Sequence, residues 1–183
     1  ESEIRAVVLM PGATEFGYDP QPVYRSLGFA KRETLNRHVD GAPTDFTASI
    51  DALTALLPNL ERVSLVVAWF GDDLRAGQCT VRPKVETAEG TTAPVWRVGG
   101  LTRGGAAVVS QHEGRPAFGG TPSDDGVIRA IAELKARGLA VTLYPFVLMD
   151  VPAGNGQPDP YGGAEQAAYP WRGELTGSVA PGL

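Results

Sequence analysis

The stretch Val63-Ser-Leu-Val-Val-Ala-Trp-Phe-Gly-Asp-Asp-Leu-Arg75 decides the fold. Its first eight residues are apolar and rich in β-branched and aromatic side chains, which is typical of a strand buried on both faces of a parallel sheet. Adjacent strand residues point to opposite faces, so Asp72 and Asp73 cannot both be buried without partners. Sites in α/β proteins lie at the carboxyl ends of the strands. The two carboxylates therefore either belong to such a site or begin a polar loop.

The composition of the chain is that of one globular domain. Its 183 residues are 43% hydrophobic and 20% charged, which is enough to bury a core and suggests neither a disordered nor a fibrous chain. The net charge of −5, without any cluster of lysine and arginine, argues against a nucleic-acid partner. The charge does not choose among carbohydrate, peptide and protein partners.

The sequence predicts neither a cofactor nor a metal site. Cys79 is the only cysteine, so an intrachain disulfide and a thiolate zinc site are excluded. His38 and His112 lack the spacing of metal ligands and are expected in loops or on the surface. No apolar stretch approaches the roughly 20 residues that span a bilayer. The first residue, Glu1, is not an initiator methionine, and we expect the chain to be an excerpt from a longer polypeptide.

Two strand–helix–strand units are predicted around the central strand. A short strand near residues 6–10 precedes a helix that begins at the cap Thr44 and carries an apolar stripe of Phe46, Ile50, Leu53 and Leu57. A second helix, capped by Ser123 and closed by Gly138, leads into a strand over residues 139–149. Such crossovers are right-handed and make the strands parallel.

Two regions do not follow this alternation. Residues about 76–120 contain many glycines and prolines between short β-like pieces, and we interpret them as a β-rich insertion that covers the carboxyl ends of the strands. Residues 21–41 are polar and weakly patterned, which indicates a loop. The segment 151–183 is rich in Pro, Gly and aromatic residues and is interpreted as a long binding loop or lid.

Carboxylates follow each predicted core strand. Glu15, Asp72 and Asp150 occupy these positions, and in a βα barrel they would converge on one mouth, where paired acids suit glycoside hydrolysis. We take these three as candidate catalytic residues. The candidate substrate-binding residues are Trp69, Asp73, Arg75, Tyr144 and Trp171. The alternative is that the acids only bind loop amides and that the aromatic residues belong to the core.

Several motifs together resemble a known family. They are Ala68-Trp-Phe-Gly-Asp-Asp-Leu-Arg-Ala-Gly-Gln-Cys79, Phe118-Gly-Gly-Thr-Pro-Ser-Asp124, Pro145-Phe-Val-Leu-Met-Asp-Val-Pro-Ala-Gly-Asn155, Pro170-Trp-Arg-Gly173 and Met10-Pro-Gly-Ala-Thr-Glu-Phe16. Over essentially the whole chain, the sequence is similar to the glycoside-hydrolase-like TIM-barrel domain of the tail-tip, or host-specificity, protein of gene transfer agents and phages. The resemblance implies an α/β, TIM-barrel-like (β/α) fold of which residues 1–183 would form the N-terminal part.

The resemblance also implies partners and a location. The chain would belong to a longer polypeptide at the tail tip or baseplate of a phage-like particle, made in the bacterial cytoplasm. Its partners would be the rest of that polypeptide, other tail-tip proteins, further copies of itself, and the polysaccharide or peptidoglycan of the recipient's envelope. In the family the barrel continues into a segment with a Gly-Ser-Glu motif, a better candidate for the catalytic acid, which this chain lacks.

Three functions follow as hypotheses. The first is adhesion to envelope polysaccharide or peptidoglycan without catalysis. The second is an active glycosidase that cuts the recipient's wall during DNA delivery. The third is a purely architectural part of the tail.

Overall fold

Short strands dominate the part of the chain that the computed structural model describes, which comprises residues 3–10, 14–28 and 31–170. The strands are β1 Ala6–Leu9, β2 Tyr24–Ser26, β3 Arg32–Thr34, β4 Arg62–Gly71, β5 Val81–Arg82, β6 Lys84–Val85, β7 Thr92–Ala93, β8 Arg97–Val98, β9 Leu101–Thr102, β10 Ala107–Val108, β11 Gln111–His112, β12 Arg115–Pro116 and β13 Ala140–Met149. The helices are α1 Asp45–Leu56 and α2 Asp124–Ala136, with a 3-10 turn at Arg103–Gly105. No helix in these ranges has the length and apolarity of a membrane span.

Strand β4 lies at the centre of the main sheet. The order is β1-β4-β13, and both outer strands run parallel to β4. Ala6 and Ala140 both pair with Arg62, and β13 stays in register with β4 as far as Met149, opposite Gly71. The short strand β5 pairs antiparallel with the end of β4. The continuous apolar run that begins at Val63 thus forms the central strand.

Helix α1 begins and ends where its sequence predicts. The Thr44 side chain accepts a hydrogen bond from the Thr47 amide, and the Thr47 side chain bonds back to the Thr44 amide, so two otherwise unpaired helix donors are satisfied. Leu57 caps the other end through a bond to the Leu53 carbonyl. Helix α2 is capped by Ser123, whose side chain accepts a hydrogen bond from the Gly126 amide, and its end is followed by Gly138 at a φ of 82°, a conformation that favours glycine.

Both helices pack on the same face of the main sheet. Ile50 of α1 and Leu134 of α2 belong to one buried cluster with Leu65 of β4. Because strand side chains alternate, this face carries the odd-numbered residues of β4. The opposite face carries Val66, Ala68 and Phe70, and no helix of the described residues covers it.

Between β4 and α2 the chain forms small sheets of two or three short strands. Strands β6 and β10 pair with each other, and β8–β9 and β11–β12 form hairpins. In the second hairpin the turn residues Glu113 and Gly114 both have positive φ. The segment predicted as a loop over residues 21–41 instead contains β2 and β3, which form a sheet with β7. That prediction was wrong because β2 and β3 are three residues long and mostly polar, so their hairpin carries no apolar alternation, and β7, which pairs with β2, lies more than 50 residues away.

The predicted TIM-barrel-like (β/α) architecture is wrong. The described residues are mostly strands in small sheets, with two α-helices, and the regular alternation of strands and helices that a barrel requires is not found. The physical reason lies between β4 and α2, where residues 72–123 fold into short paired strands instead of a direct crossover helix. Two strand–helix–strand patterns fit any open parallel sheet, so they do not indicate a barrel by themselves. The assignment of 1–183 to one domain portion stays a prediction.

Candidate functional site

The carboxyl ends of β1, β4 and β13 lie at one edge of the main sheet, because the three strands are parallel. The predicted catalytic residues follow these strands. The structure therefore places them in the same general region, and their individual partners decide what they can do.

Asp150 is buried and held by a cation. Its residue is 2% exposed, and the Lys84 Nζ lies 2.7 Å from its Oδ2. The Ser110 amide donates to the same oxygen at 3.0 Å. Lys84 sits in β6, so this pair joins the end of β13 to the region of short strands.

Glu15 is also buried in an ion pair. Arg103 binds both of its oxygens, and the Glu86 amide donates to Oε1 at 2.7 Å. The same guanidinium donates to the Thr87 carbonyl at 2.9 Å. Gly120 packs directly on Glu15, and a Cβ at that position would collide with the Glu15 side chain. Arg103, the Glu86 amide and Gly120 therefore enclose the Glu15 carboxylate.

The adjacent carboxylates Asp72 and Asp73 have different surroundings. Asp73 is buried and receives the Arg75 Nε at 2.9 Å and the Gln166 Nε2 at 2.8 Å. The Arg75 guanidinium holds the pKa of Asp73 at about 2, against the effect of burial. Asp72 is half-buried and accepts from the Thr80 amide at 2.7 Å and from Arg82 at 2.8 Å. One of the pair is thus buried with partners, as the alternation of strand side chains requires.

The three predicted catalytic carboxylates each bind a different cation. Glu15 binds Arg103, Asp72 binds Arg82 and Asp150 binds Lys84. A general acid must carry a proton and a base or nucleophile must reach the substrate, and a carboxylate held by a cation is poorly suited to either role. The arrangement is that of structural ion pairs.

Glu86 is a carboxyl group that sequence reasoning missed. It is half-buried next to Glu15, and burial together with the Glu15 charge raises the pKa of Glu86. It lies one residue after the short strand β6, in a stretch with no recognisable motif, and its neighbour Glu15 is 71 residues away along the chain. No signal in the sequence indicates this contact.

Two of the aromatic residues that the sequence suggests for sugar binding, Trp69 and Tyr144, lie on different faces of the sheet. Trp69 is half-buried and packs against the cluster that contains Trp96 and Val98. Tyr144 is 47% exposed and, as an even-numbered residue of β13, lies on the helix-free face. The two rings are therefore on opposite faces of the sheet. Trp171 lies outside the described residues.

Tyr144 and Phe146 of β13 lie on the helix-free face, Phe118 packs against Phe70 there, and Tyr169 packs on Phe118. We call these four rings the aromatic row: Tyr144, Phe146, Phe118 and Tyr169. Tyr144 and Phe146 have ring centroids 6.1 Å apart, as have Phe118 and Tyr169. Phe118 and Phe146 line one groove of about 300 Å³ together with Met10 and Ala68. The row brings together residues from β13 and from two loops, which only the folded chain makes neighbours.

No metal centre accompanies these residues. Within residues 3–10, 14–28 and 31–170, no group of three or more His, Cys, Asp or Glu side chains is placed to hold a metal ion.

The chain matches no known protein-family model and no curated protein sequence. The resemblance to tail-tip proteins of gene transfer agents therefore stays a prediction that rests on the motifs quoted above.

Proposed function

We propose that this chain is a non-catalytic binding component of the tail tip of a phage-like gene transfer agent particle, where it engages the polysaccharide or peptidoglycan of the recipient's envelope. The observation that carries the choice of binding over hydrolysis is the ion pairing of Glu15, Asp72 and Asp150 with three separate cations. Hydrolysis of a glycosidic bond needs two carboxyl groups that face each other across the bond.

The aromatic row supports carbohydrate as the ligand. Ligand sites are lined mainly by apolar and aromatic side chains with a few polar groups. Tyr144 presents an exposed ring on an apolar face, and the groove beside Phe146 continues that surface towards Phe118. The apolar C–H face of a sugar ring stacks on such a surface while its hydroxyl groups remain in water.

The placement of this chain in a phage-like particle rests on the resemblance alone. The resemblance also supplies the proposed partners, which are the rest of a longer polypeptide, other tail-tip or baseplate proteins and further copies of the chain. The net charge of −5 agrees with a role that involves no nucleic-acid contact by this domain.

An active glycosidase is the second candidate, and Glu86 favours it. A general acid needs a pKa raised towards the working pH, and burial beside Glu15 shifts the pKa of Glu86 in that direction. Glu15 would then be the second carboxylate, although Arg103 holds it.

The test is co-sedimentation with purified peptidoglycan and envelope polysaccharide, combined with an assay for released reducing ends. We expect the chain to sediment with the polymer and to release no reducing ends. Tyr144→Ala should weaken sedimentation because it removes an exposed ring from the aromatic row. Leu143→Ala is the matched control, since Leu143 is 50% exposed on the opposite face of the same strand.

Two results would overturn the proposal. Release of reducing ends that Glu86→Gln abolishes would make the protein a glycosidase and identify its acid. If the chain neither sediments with the polymer nor releases reducing ends, the architectural role is supported instead.

A further inference from the structure

A second groove lies outside the main sheet and shares no residue with the aromatic row. Its volume is about 570 Å³, and it is formed by the ends of β2 and β7 together with the 3-10 turn. Four hydroxyl side chains line it: Ser26, Thr91, Thr92 and Thr102.

The hydroxyl group of Thr92 has no hydrogen-bond partner among the residues that the structure describes. The residue is 7% exposed, and its Oγ1 is buried without a hydrogen bond among the described residues. The backbone of Thr92 is paired with Arg25 in the β2–β7 ladder, so the missing hydrogen bond is that of the side chain alone. Buried hydroxyl groups in proteins nearly always have a partner, and one that lacks it calls for an explanation.

The charge of the groove is already neutralised from within the chain. Arg103 is the charged residue of its lining, and its guanidinium binds Glu15 and the Thr87 carbonyl. A charged ligand would therefore meet no free opposite charge from these lining residues, whereas a neutral ligand with hydroxyl groups would meet the threonine and serine side chains. A ligand hydroxyl group can donate and accept a hydrogen bond, and so can the Thr92 hydroxyl, so the two groups can pair in either direction.

We propose that this groove binds a neutral, hydroxyl-bearing ligand, a single sugar unit of the envelope polymer, and that Thr92 is a specificity-determining hydrogen-bond partner for it. The Thr92 Oγ1 is buried in this structure, so a rotation about χ1 to another staggered position is required to turn the hydroxyl towards the ligand. The inference rests on the proposed function, because it adds a second sugar-binding locus to the aromatic row.

The experiment measures binding of an uncharged N-acetylglucosamine trisaccharide to the purified chain by calorimetry. We expect Thr92→Val to raise the Kd at least tenfold, since valine keeps the shape of threonine and removes the hydroxyl group. Thr92→Ser keeps the hydroxyl group and should retain most of the affinity. Thr80→Val, at an exposed threonine outside the groove, is the control and should leave the Kd unchanged.

The outcomes separate the two proposals. If Thr92→Val binds the trisaccharide like the parent chain and merely unfolds at a higher temperature, the hydroxyl is an unpaired group with no ligand, and this inference fails while sedimentation with the polymer still supports the proposed function. If the parent chain binds neither trisaccharide nor polymer, the proposed function fails as well.

Discussion

The helix-backed sheet and the region at its carboxyl edge are stabilised by different interactions. In the sheet, Ile50, Leu65 and Leu134 are almost fully buried against each other and involve no charge. At the edge, buried ion pairs such as Lys84–Asp150 and Arg103–Glu15 join segments 66 and 88 residues apart. Apolar packing and backbone pairing between long strands hold the first region together, whereas buried charge pairs join the short segments of the second.

The difference has a physical origin in the length of the strands. Strands β4 and β13 pair over ten residues, so their backbone hydrogen bonds and apolar side chains determine their register. The strands between β5 and β12 are two residues long and contribute few ladder bonds each. Charged hydrogen bonds with strict geometry therefore specify how these short strands sit at the end of the sheet.

The largest expected effect comes from breaking one of the buried ion pairs. Lys84→Met leaves Asp150 buried without its cation, and we expect the free energy of unfolding to fall by about 3–5 kcal/mol. Removing both charges, as in Lys84→Met with Asp150→Leu, should recover much of that loss, because a buried pair and a packed apolar pair are often similar in stability. Urea denaturation of the parent chain, both single variants and the double variant measures the coupling.

The double-mutant cycle of Lys84 and Asp150 also tests whether the edge of the sheet depends on buried charge pairs. An exposed ion pair contributes less than about 1 kcal/mol to the free energy of unfolding, so a loss that small for Lys84→Met would indicate an exposed pair. Such a result would mean that the edge of the sheet is hydrated and that Asp150 is free to face a ligand.

A somewhat smaller effect is expected in the helix-backed sheet. Leu65→Ala creates a cavity among α1, α2 and β4, and we expect a loss of about 2–5 kcal/mol in the free energy of unfolding. Leu56→Ala, at an exposed residue of α1, is the control and should change stability by less than about 0.5 kcal/mol. The loss at Leu65 involves no charged group and should not depend on salt, whereas the buried Lys84–Asp150 pair is itself only weakly screened. Urea denaturation of Leu65→Ala at low and high salt is the measurement, and a salt-dependent loss would contradict the division.

The same division explains what the sequence predicts correctly. The helix caps Thr44 and Ser123 and the run that begins at Val63 are local patterns, and the helices and the central strand begin where those patterns place them. The candidate carboxylates were found for a local reason as well, since each follows a strand. Their cations could not be predicted, because Lys84 and Arg103 lie in stretches without periodicity and reach their partners only through the folded chain.

The wrong prediction of a barrel has a related cause. Alternating patterns reveal a parallel strand pair but not how many further units follow it, and the choice of a barrel came from the resemblance. The strands β2 and β3 were missed because they are three residues long and mostly polar, and the strand β7 that pairs with β2 is remote. Glu86 was missed for a similar reason, because its raised pKa depends in part on Glu15, which is 71 residues away along the chain.

The smallest expected effect concerns Glu86 and depends on pH. Burial and the Glu15 charge raise the pKa of Glu86 above its ordinary value of 4.5, so the fold favours the protonated carboxyl group. The stabilising contribution of the protonated form is present below the unfolded-state pKa and is lost as the pH rises through the folded-state pKa. Glu86→Gln should therefore be more stable than the parent chain at pH 7 and equal to it near pH 4. Thermal unfolding measured across this range tests the difference.

Asp73 provides a control of opposite sign. Its pKa is lowered from 3.8 to about 2 by Arg75, so its ionised form stabilises the fold above pH 3.8 and that contribution is lost as the pH falls through about 2. Asp73→Asn should therefore be less stable than the parent chain at pH 7, with a difference that shrinks in acid. If Glu86→Gln also lost stability at pH 7, the Glu86 carboxylate would be held by a cation like the other acids at this edge. The glycosidase alternative would then lose its candidate proton donor.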